Sequence, residues 1–222
     1  MNIESEIFKR TKMNPGKLID YGFVKQHARY IFSKNFMNDN FKAYITVNSQ
    51  GVVSGTIYDL NMGDEYVNFR IKNQNGAFVN QVREEYTNIL NDIAAQCFDQ
   101  KFFIFDQANR ITDHIVKMFQ SEPEFLWTKY PGYGIFRNPT SRKWYAVIMN
   151  IDKSRIDRKE SGEVEVINLK LKASMISDLL MQTGFYPAYH MNKKNWITII
   201  LDDTISDEVI LNYIQDSHAL TE

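Results

Sequence analysis

The sequence predicts an α+β protein of two domains, each with helices flanking an antiparallel sheet. Short β-rich runs alternate with turn sequences such as MNDN, NSQG and NMGD, which is the pattern of an antiparallel meander. Other segments repeat apolar residues every three or four positions, as a helix with one buried face requires. We expect an N-terminal domain over residues 1–105 and a second domain over residues 106–222.

The first domain is expected to begin with a short helix at residues 4–12, followed by the helix-entry residue Pro15 and a turn near Gly22. A long helix at residues 79–98 closes the domain, because its apolar residues step by three and four. Between them the strand candidates are residues 28–36, 41–47, 52–60 and 65–71.

The second domain is expected to alternate helices and hairpins. Ser174 is a candidate helix start, and Ser206 is a candidate N-cap of the last helix, whose first turn is acidic. The core-facing residues of the central strand are expected to be Ile167, Leu169 and Leu171. In order, the elements are a helix at 108–119, a hairpin at 130–151 broken at Asn138-Pro139, a strand at 164–171, a helix from 174, a hairpin at 186–201 and a final helix.

The hairpin at residues 186–201 admits two turn lengths. A two-residue turn at residues 193–194 would set His190 opposite Ile197 and bury an imidazole among isoleucines. A three-residue turn instead separates apolar from polar side chains, and it lets Asn195 take the left-handed conformation that such loops need. We therefore expect the three-residue turn.

That register predicts a mixed aromatic and polar face on the side of the sheet away from the helices. Its members are Asn168, Lys170, His190, Asn192 and Trp196. An exposed Trp can stack on a base or a cation, and Lys can meet a phosphate. The alternative is that this face packs on the first domain and buries Trp196.

Basic side chains cluster at two turns of the second domain. Arg137, Arg142 and Lys143 surround the turn NPTSRK, and Lys193 and Lys194 lie in the next hairpin. Two such loops could straddle a nucleic-acid backbone. The whole chain has a net charge of −1, so binding to phosphate would depend on a local patch.

Composition and motifs exclude several classes of protein. The single cysteine rules out an internal disulfide, and the four histidines lack the spacing of metal ligands to one another. No glycine-rich phosphate loop or nucleophile turn is present, so we expect no catalysis and no cofactor, although His190 beside Lys170 could in principle transfer a proton. No apolar stretch is long enough for a membrane span and no signal peptide is evident, which favours the cytoplasm.

The second domain resembles the MmcQ/YjbR family of small bacterial proteins. The matching residues are the string KWYA at 143–146, Lys170, the string PAYHMNK at 187–193 followed by WIT at 196–198, and Ser217 with Leu220. The family usually has Tyr after the terminal Ser, whereas this chain has His218. The first domain is similar to the additional N-terminal domain of longer members.

The resemblance implies a CyaY/frataxin-like fold, with two helices flanking an antiparallel sheet, and DNA binding through a double wing of hairpin loops. It does not extend to iron, because the helix at residues 108–119 offers only Asp113 where an acidic ridge would be needed.

The leading hypothesis is therefore a nucleic-acid-binding module without catalysis. Trp196 would stack on a base, and the five basic side chains Arg137, Arg142, Lys143, Lys193 and Lys194 would contact phosphate. The rival hypothesis is a protein-interaction or small-ligand module that uses the face around Lys170, His190, Asn192 and Trp196.

Overall fold

The computed structural model describes residues 2–222 and divides the chain into two units. The first unit ends at Lys101 and the second spans Phe102–Glu222. The boundary thus lies four residues before the one expected from the sequence. Both units combine helices with antiparallel sheets, which confirms the α+β class.

The first unit is built on a five-stranded antiparallel meander in the order β2-β3-β4-β5-β6, and a separate pair is formed by β1 and β7. Its helices are α1 (Ile3–Phe8), α2 (Pro15–Tyr21) and α3 (Ala77–Cys97). Its strands are β1 (Thr11–Met13), β2 (Val24–Gln26), β3 (Arg29–Phe36), β4 (Phe41–Asn48), β5 (Val53–Asp59), β6 (Asp64–Glu65) and β7 (Phe98–Gln100).

Two expectations for the first unit were wrong. The first helix ends at Phe8 rather than at residue 12, because Thr11–Met13 pairs with Phe98–Gln100 as a strand. Residues 65–71 are not a strand either. After the short β6 the chain turns through a 3₁₀-helix at Asn68–Arg70, which buries Phe69 and brings Arg70 to the interior.

A buried ionic network holds the interior of the first unit. The Glu4 carboxylate is 2% exposed, and both of its oxygens accept hydrogen bonds from Arg70, at 2.9 and 2.6 Å. The Tyr86 hydroxyl donates to the same carboxylate at 2.5 Å. Burial alone would raise the pKa of Glu4, but the hydrogen bonds from Arg70 and Tyr86 outweigh it and hold the pKa below its ordinary value.

The second unit is a six-stranded antiparallel sheet in the order β12-β13-β11-β10-β9-β8. Its helices are α4 (Asp106–Phe119), α5 (Ala173–Leu179) and α6 (Asp207–Ala219). Its strands are β8 (Glu124–Phe125), β9 (Gly134–Arg137), β10 (Trp144–Asp152), β11 (Glu163–Lys170), β12 (Phe185–Pro187) and β13 (Trp196–Ile200).

Both faces of this sheet are covered. The helices pack on one face in a cluster that contains Ile167, Leu169 and Leu171, which confirms the predicted core side of β11. The other face carries a second apolar cluster, which includes Val166 and the partly buried Tyr189. The face that the sequence predicts to be open is therefore largely closed by the chain itself.

The connection between β12 and β13 differs from both turns considered. Pro187 pairs with Ile197, so residues 188–195 form an eight-residue loop instead of a three-residue turn. Smaller differences occur at two helix starts. α5 begins at Ala173, before Ser174, and Ser206 occupies the N-cap position of α6 without a side-chain capping bond.

Replacing Glu4 with Gln should lower the free energy of unfolding of the first unit by on the order of 3 kcal/mol, because a buried pair that loses one partner leaves the other uncompensated. Because folding lowers the pKa of Glu4, the stability this group contributes is present above its ordinary pKa of 4.5 and is lost as pH falls through the folded value. E4Q should lack that acid-dependent loss.

Far-UV circular dichroism melts at a series of pH values would measure this effect. All three tryptophans lie in the second unit, so their fluorescence follows that unit separately. E6Q is the matched control, since Glu6 is an exposed carboxylate on the same helix. If E4Q and the unmodified chain lost stability equally at low pH, the proposed role of the Glu4 carboxylate in acid-dependent stability would be contradicted.

Candidate nucleic-acid interface

The antiparallel register gathers basic side chains at one end of the second unit's sheet. In the ladders, Arg137 at the end of β9 pairs with Trp144, and Lys170 at the end of β11 pairs with Trp196. The loops 138–143 and 188–195 leave the sheet at this same end. We call it the basic end and define it by Arg137, Arg142, Lys143, Lys170, Lys193 and Lys194.

Four of the strands contribute one side chain each to a row across the basic end. The order is Arg137, Trp144, Lys170 and Trp196, on β9, β10, β11 and β13. Neighbouring strands lie ~4.8 Å apart, and alternation places Lys170 and Trp196 on the face away from the helices. All four residues are half-buried. The row therefore alternates cationic and aromatic groups.

Glu124 pairs with both arginines of the first basic loop. Its carboxylate accepts from the Arg137 Nε at 3.1 Å and from an Arg142 Nη at 3.2 Å. The Arg137 guanidinium also lies 5.5 Å from the ring centroid of Trp144. Lys143 contacts the Glu222 backbone carbonyl at 3.3 Å. These three cations thus have intramolecular partners.

Asn138 fixes the shape of the first loop. Its buried side-chain oxygen accepts from the backbone N–H groups of Thr140 and Ser141, at 2.9 and 3.0 Å. Its backbone N–H bonds the Lys143 carbonyl at 2.9 Å and so closes the hairpin. Asn is typical of turns that are closed in this way. The turn leaves the side chain of Arg142 65% exposed.

The second basic loop is held by Asn192 and leaves its lysines unpaired. The Asn192 side-chain oxygen accepts from the Lys194 N–H at 3.0 Å, and its backbone carbonyl accepts from Trp196 at 3.0 Å. Within residues 2–222, Lys193 and Lys194 are exposed and make no ion pair. His190 is also exposed, and its φ of 57° lies in the left-handed region, which residues in tight loops often adopt.

Asn168 has a structural position that the sequence analysis did not foresee. It is fully buried, and its amide donates to the Tyr189 carbonyl at 2.7 Å. The Thr198 hydroxyl donates to the Asn168 oxygen at 2.5 Å and accepts from the Tyr189 N–H at 2.9 Å. These bonds fasten loop 188–195 to the sheet, so Asn168 has no free group for a ligand.

Ser217 fixes the basic end from the helix side. Its hydroxyl donates to the Tyr145 carbonyl at 2.5 Å and accepts from the Lys170 N–H at 2.8 Å. It therefore bridges β10 and β11 at the point beyond their last paired residues. Burial also raises the pKa of Tyr145 to about 12, so this side chain stays a neutral phenol.

Glu124 and Trp144 also belong to this surface, although neither was predicted as a site residue from the sequence. Glu124 lies in a two-residue strand, and only the β8–β9 pairing reveals that it reaches the arginines. Trp144 could have been found, because a Trp directly after the basic turn begins the next strand. Among residues 2–222, no group of three or more His, Cys, Asp or Glu side chains could hold a metal ion. No helix within the same range is long and apolar enough to cross a membrane.

Known proteins resemble the second unit. The family model YjbR matches residues 117–220. The uncharacterised protein YyaQ of Bacillus subtilis is 33% identical over 112 residues, which cover 50% of this chain and 95% of YyaQ. A Pseudomonas syringae protein with a solved crystal structure is 36% identical in sequence. The match covers 51% of this chain and 97% of the Pseudomonas syringae chain, with a TM-score of 0.50.

Replacing Thr198 with Val should destabilise the second unit by about 1–3 kcal/mol, because it leaves the Asn168 oxygen and the Tyr189 N–H without their partner in a buried site. Urea titration followed by tryptophan fluorescence measures the change. T128V, at an exposed loop position, is the matched control and should stay within about 0.5 kcal/mol of the unmodified chain. Equal midpoints for the two variants would show that the Thr198 hydroxyl does not anchor the loop.

Proposed function

The second half of this chain belongs to the YjbR family, and from that premise we propose that it is a nucleic-acid-binding module whose two basic loops contact phosphate groups. The observation that supports this most strongly is topological. Loops 138–143 and 188–195 leave the same end of one sheet, so a single backbone can meet both. In this proposal the loops act as two wings, as the resemblance to the MmcQ/YjbR family implies.

The charges of the basic end favour phosphate even though the chain as a whole is nearly neutral. Lys193 and Lys194 are exposed and unpaired within residues 2–222, and Lys170 lies between the loops. Lysines of this kind meet phosphate as point charges, and their attraction falls with salt. Contacts of this type position a strand without reading its sequence.

The aromatic members of the row support an additional contact to bases. Trp196 and Trp144 lie on either side of Lys170, about two strand spacings apart, or ~10 Å. Aromatic rings that alternate with cations suit a strand whose bases stack while its phosphates are neutralised. Trp196 remains the proposed stacking residue, because Trp144 is already packed by Trp127 and Arg137.

Glu124 acts in this proposal as an internal competitor for phosphate. Its two oxygens occupy the position between Arg137 and Arg142 that a phosphate group would take. A strand must displace this carboxylate to engage both guanidinium groups. Binding should therefore be weak at physiological salt.

We further propose that the second unit has a CyaY/frataxin-like arrangement, with α4 and α6 as the two helices on one face of the sheet. The proposed role is binding without catalysis, in the cytoplasm. The first unit is not part of the proposed contact.

Fluorescence anisotropy with labelled single-stranded and duplex DNA, from ~50 to ~200 mM salt, tests the proposal. Each cation that contacts a phosphate of a single strand makes the slope of log K against log salt more negative by about 0.7, so five loop cations should give a slope of about −3.5. The variant R137A/R142A/K143A removes three of these contacts, so its slope should be shallower, at about −1.4.

The matched control for this variant is R155A/R158A/K159A. It also removes two arginines and one lysine, but from exposed positions in the loop between β10 and β11, at the opposite end of the sheet. We expect the control to bind like the unmodified chain. The wing proposal fails if both triple variants lose binding equally, or if no binding occurs at low salt.

Replacing Glu124 with Gln should strengthen DNA binding by about tenfold at low salt, because one competing charge is removed from two arginines. The same anisotropy assay measures the gain. E160Q is the control, since Glu160 is an exposed carboxylate in the loop at the opposite end. Unchanged affinity of E124Q would mean that phosphate does not enter between Arg137 and Arg142.

A further inference from the structure

A cavity of about 440 Å³ lies beside the first basic loop, between the end of α4 and the end of α6. This volume falls within the usual range of small-molecule sites, about 300–1,000 Å³. Phe119 and His218 form one wall, with their rings stacked 4.1 Å apart at 8°. Asn138, Thr140 and Ser141 contribute polar groups.

The polar groups of this cavity suit the edge of a planar heterocycle. The Asn138 side chain is used within the wall itself, because its nitrogen lies 3.4 Å from the His218 Nε2 and its oxygen accepts from the Thr140 and Ser141 N–H groups. The hydroxyl groups of Thr140 and Ser141 can each donate and accept. Hydroxyl groups combined with aromatic rings offer the hydrogen bonds and the stacking by which proteins recognise an unpaired base.

A second, smaller cavity of about 130 Å³ adjoins the first. Gln120 and Pro139 line both cavities. The smaller cavity contains Arg137 and Arg142, with Glu124 between their guanidinium groups. The smaller cavity thus combines two arginines with the carboxylates of Glu122 and Glu124, so a phosphate must displace Glu124 there, while the larger cavity is partly aromatic.

We infer that the paired cavities bind one nucleotide, with the phosphate between Arg137 and Arg142 and the base in the larger cavity. For a nucleotide that belongs to a strand, the inference rests on the proposed function. A free mononucleotide carries the same phosphate and base and would occupy the same cavities. A base in this cavity cannot be paired, so the site selects single strands over duplexes.

The test uses the full chain and a variant that fills the larger cavity. T140W places an indole at an exposed loop position and keeps the Thr140 backbone bond to Asn138. T128W, at an exposed position outside both cavities, is the matched control. The probes are adenosine monophosphate, adenosine, inorganic phosphate, a labelled single strand and its duplex, with affinities measured by calorimetry or anisotropy.

We expect the unmodified chain to bind adenosine monophosphate more tightly than adenosine or phosphate, because the two parts act together. T140W should weaken the mononucleotide and the single strand about tenfold, as the loss of one stacked base requires, and leave the duplex unchanged. Tryptophan fluorescence during urea titration verifies that T140W is folded.

The outcomes separate this inference from the proposed function. If T140W binds the single strand as the unmodified chain does, the base cavity is refuted while the wings stand. If mononucleotide binding is lost in T140W and no strand binds, the cavities are supported as a site for free nucleotides and the wing proposal fails. If neither ligand binds the unmodified chain, both are overturned.

Discussion

The antiparallel register of β9, β10, β11 and β13 is the constraint on which the proposed interface depends. Because neighbouring strands run in opposite directions, the end of one strand and the start of the next meet at the same edge. This rule joins Arg137 to Trp144 across one short turn, and Lys170 to Trp196 although a helix and a strand lie between them in the chain. A slip by one residue would turn these side chains to the helix face.

Buried polar side chains maintain that register where the ladder ends. Ser217 bridges Tyr145 and Lys170 through its hydroxyl, and Asn168 and Thr198 fasten the second loop through Tyr189. In each case, backbone groups that would otherwise be buried without partners are satisfied by a side chain. Ser217 and Thr198, which are among the residues that match the family, therefore serve the scaffold, while the exposed Lys193 and Lys194 are left for a partner.

Local patterns predicted the elements well, since alternation and helical spacing depend only on neighbouring residues. Ile167 and Leu169 face the helices as their spacing requires, and the α+β class follows from the same patterns. The loop between β12 and β13 could not be predicted, because its path depends on Asn168 and Thr198, which lie in other strands. The segment at residues 65–71 reads as a strand, yet Arg70 turns inward to Glu4, 66 positions away.

The candidate site was predictable in its residue types and much less in its contacts. Arg142 and Lys193 are recognisable as loop cations, and the hairpin pattern places each at a turn. Glu124 neutralises part of the first loop because β8 pairs with β9. A two-residue strand such as β8 leaves no recognisable pattern in the sequence, so this contact could not be predicted. The wall formed by Phe119 and His218 joins two helices 99 positions apart in the chain.

The most direct test of the central claim is a nuclear magnetic resonance titration of the ¹⁵N-labelled full chain with single-stranded DNA at low salt. The amide signals of residues 138–143 and 188–195 should shift together, at the same DNA concentration, while those of 153–162 at the opposite end of the sheet stay in place. Shifts confined to residues 153–162, or to the first unit, would contradict a shared phosphate-binding end.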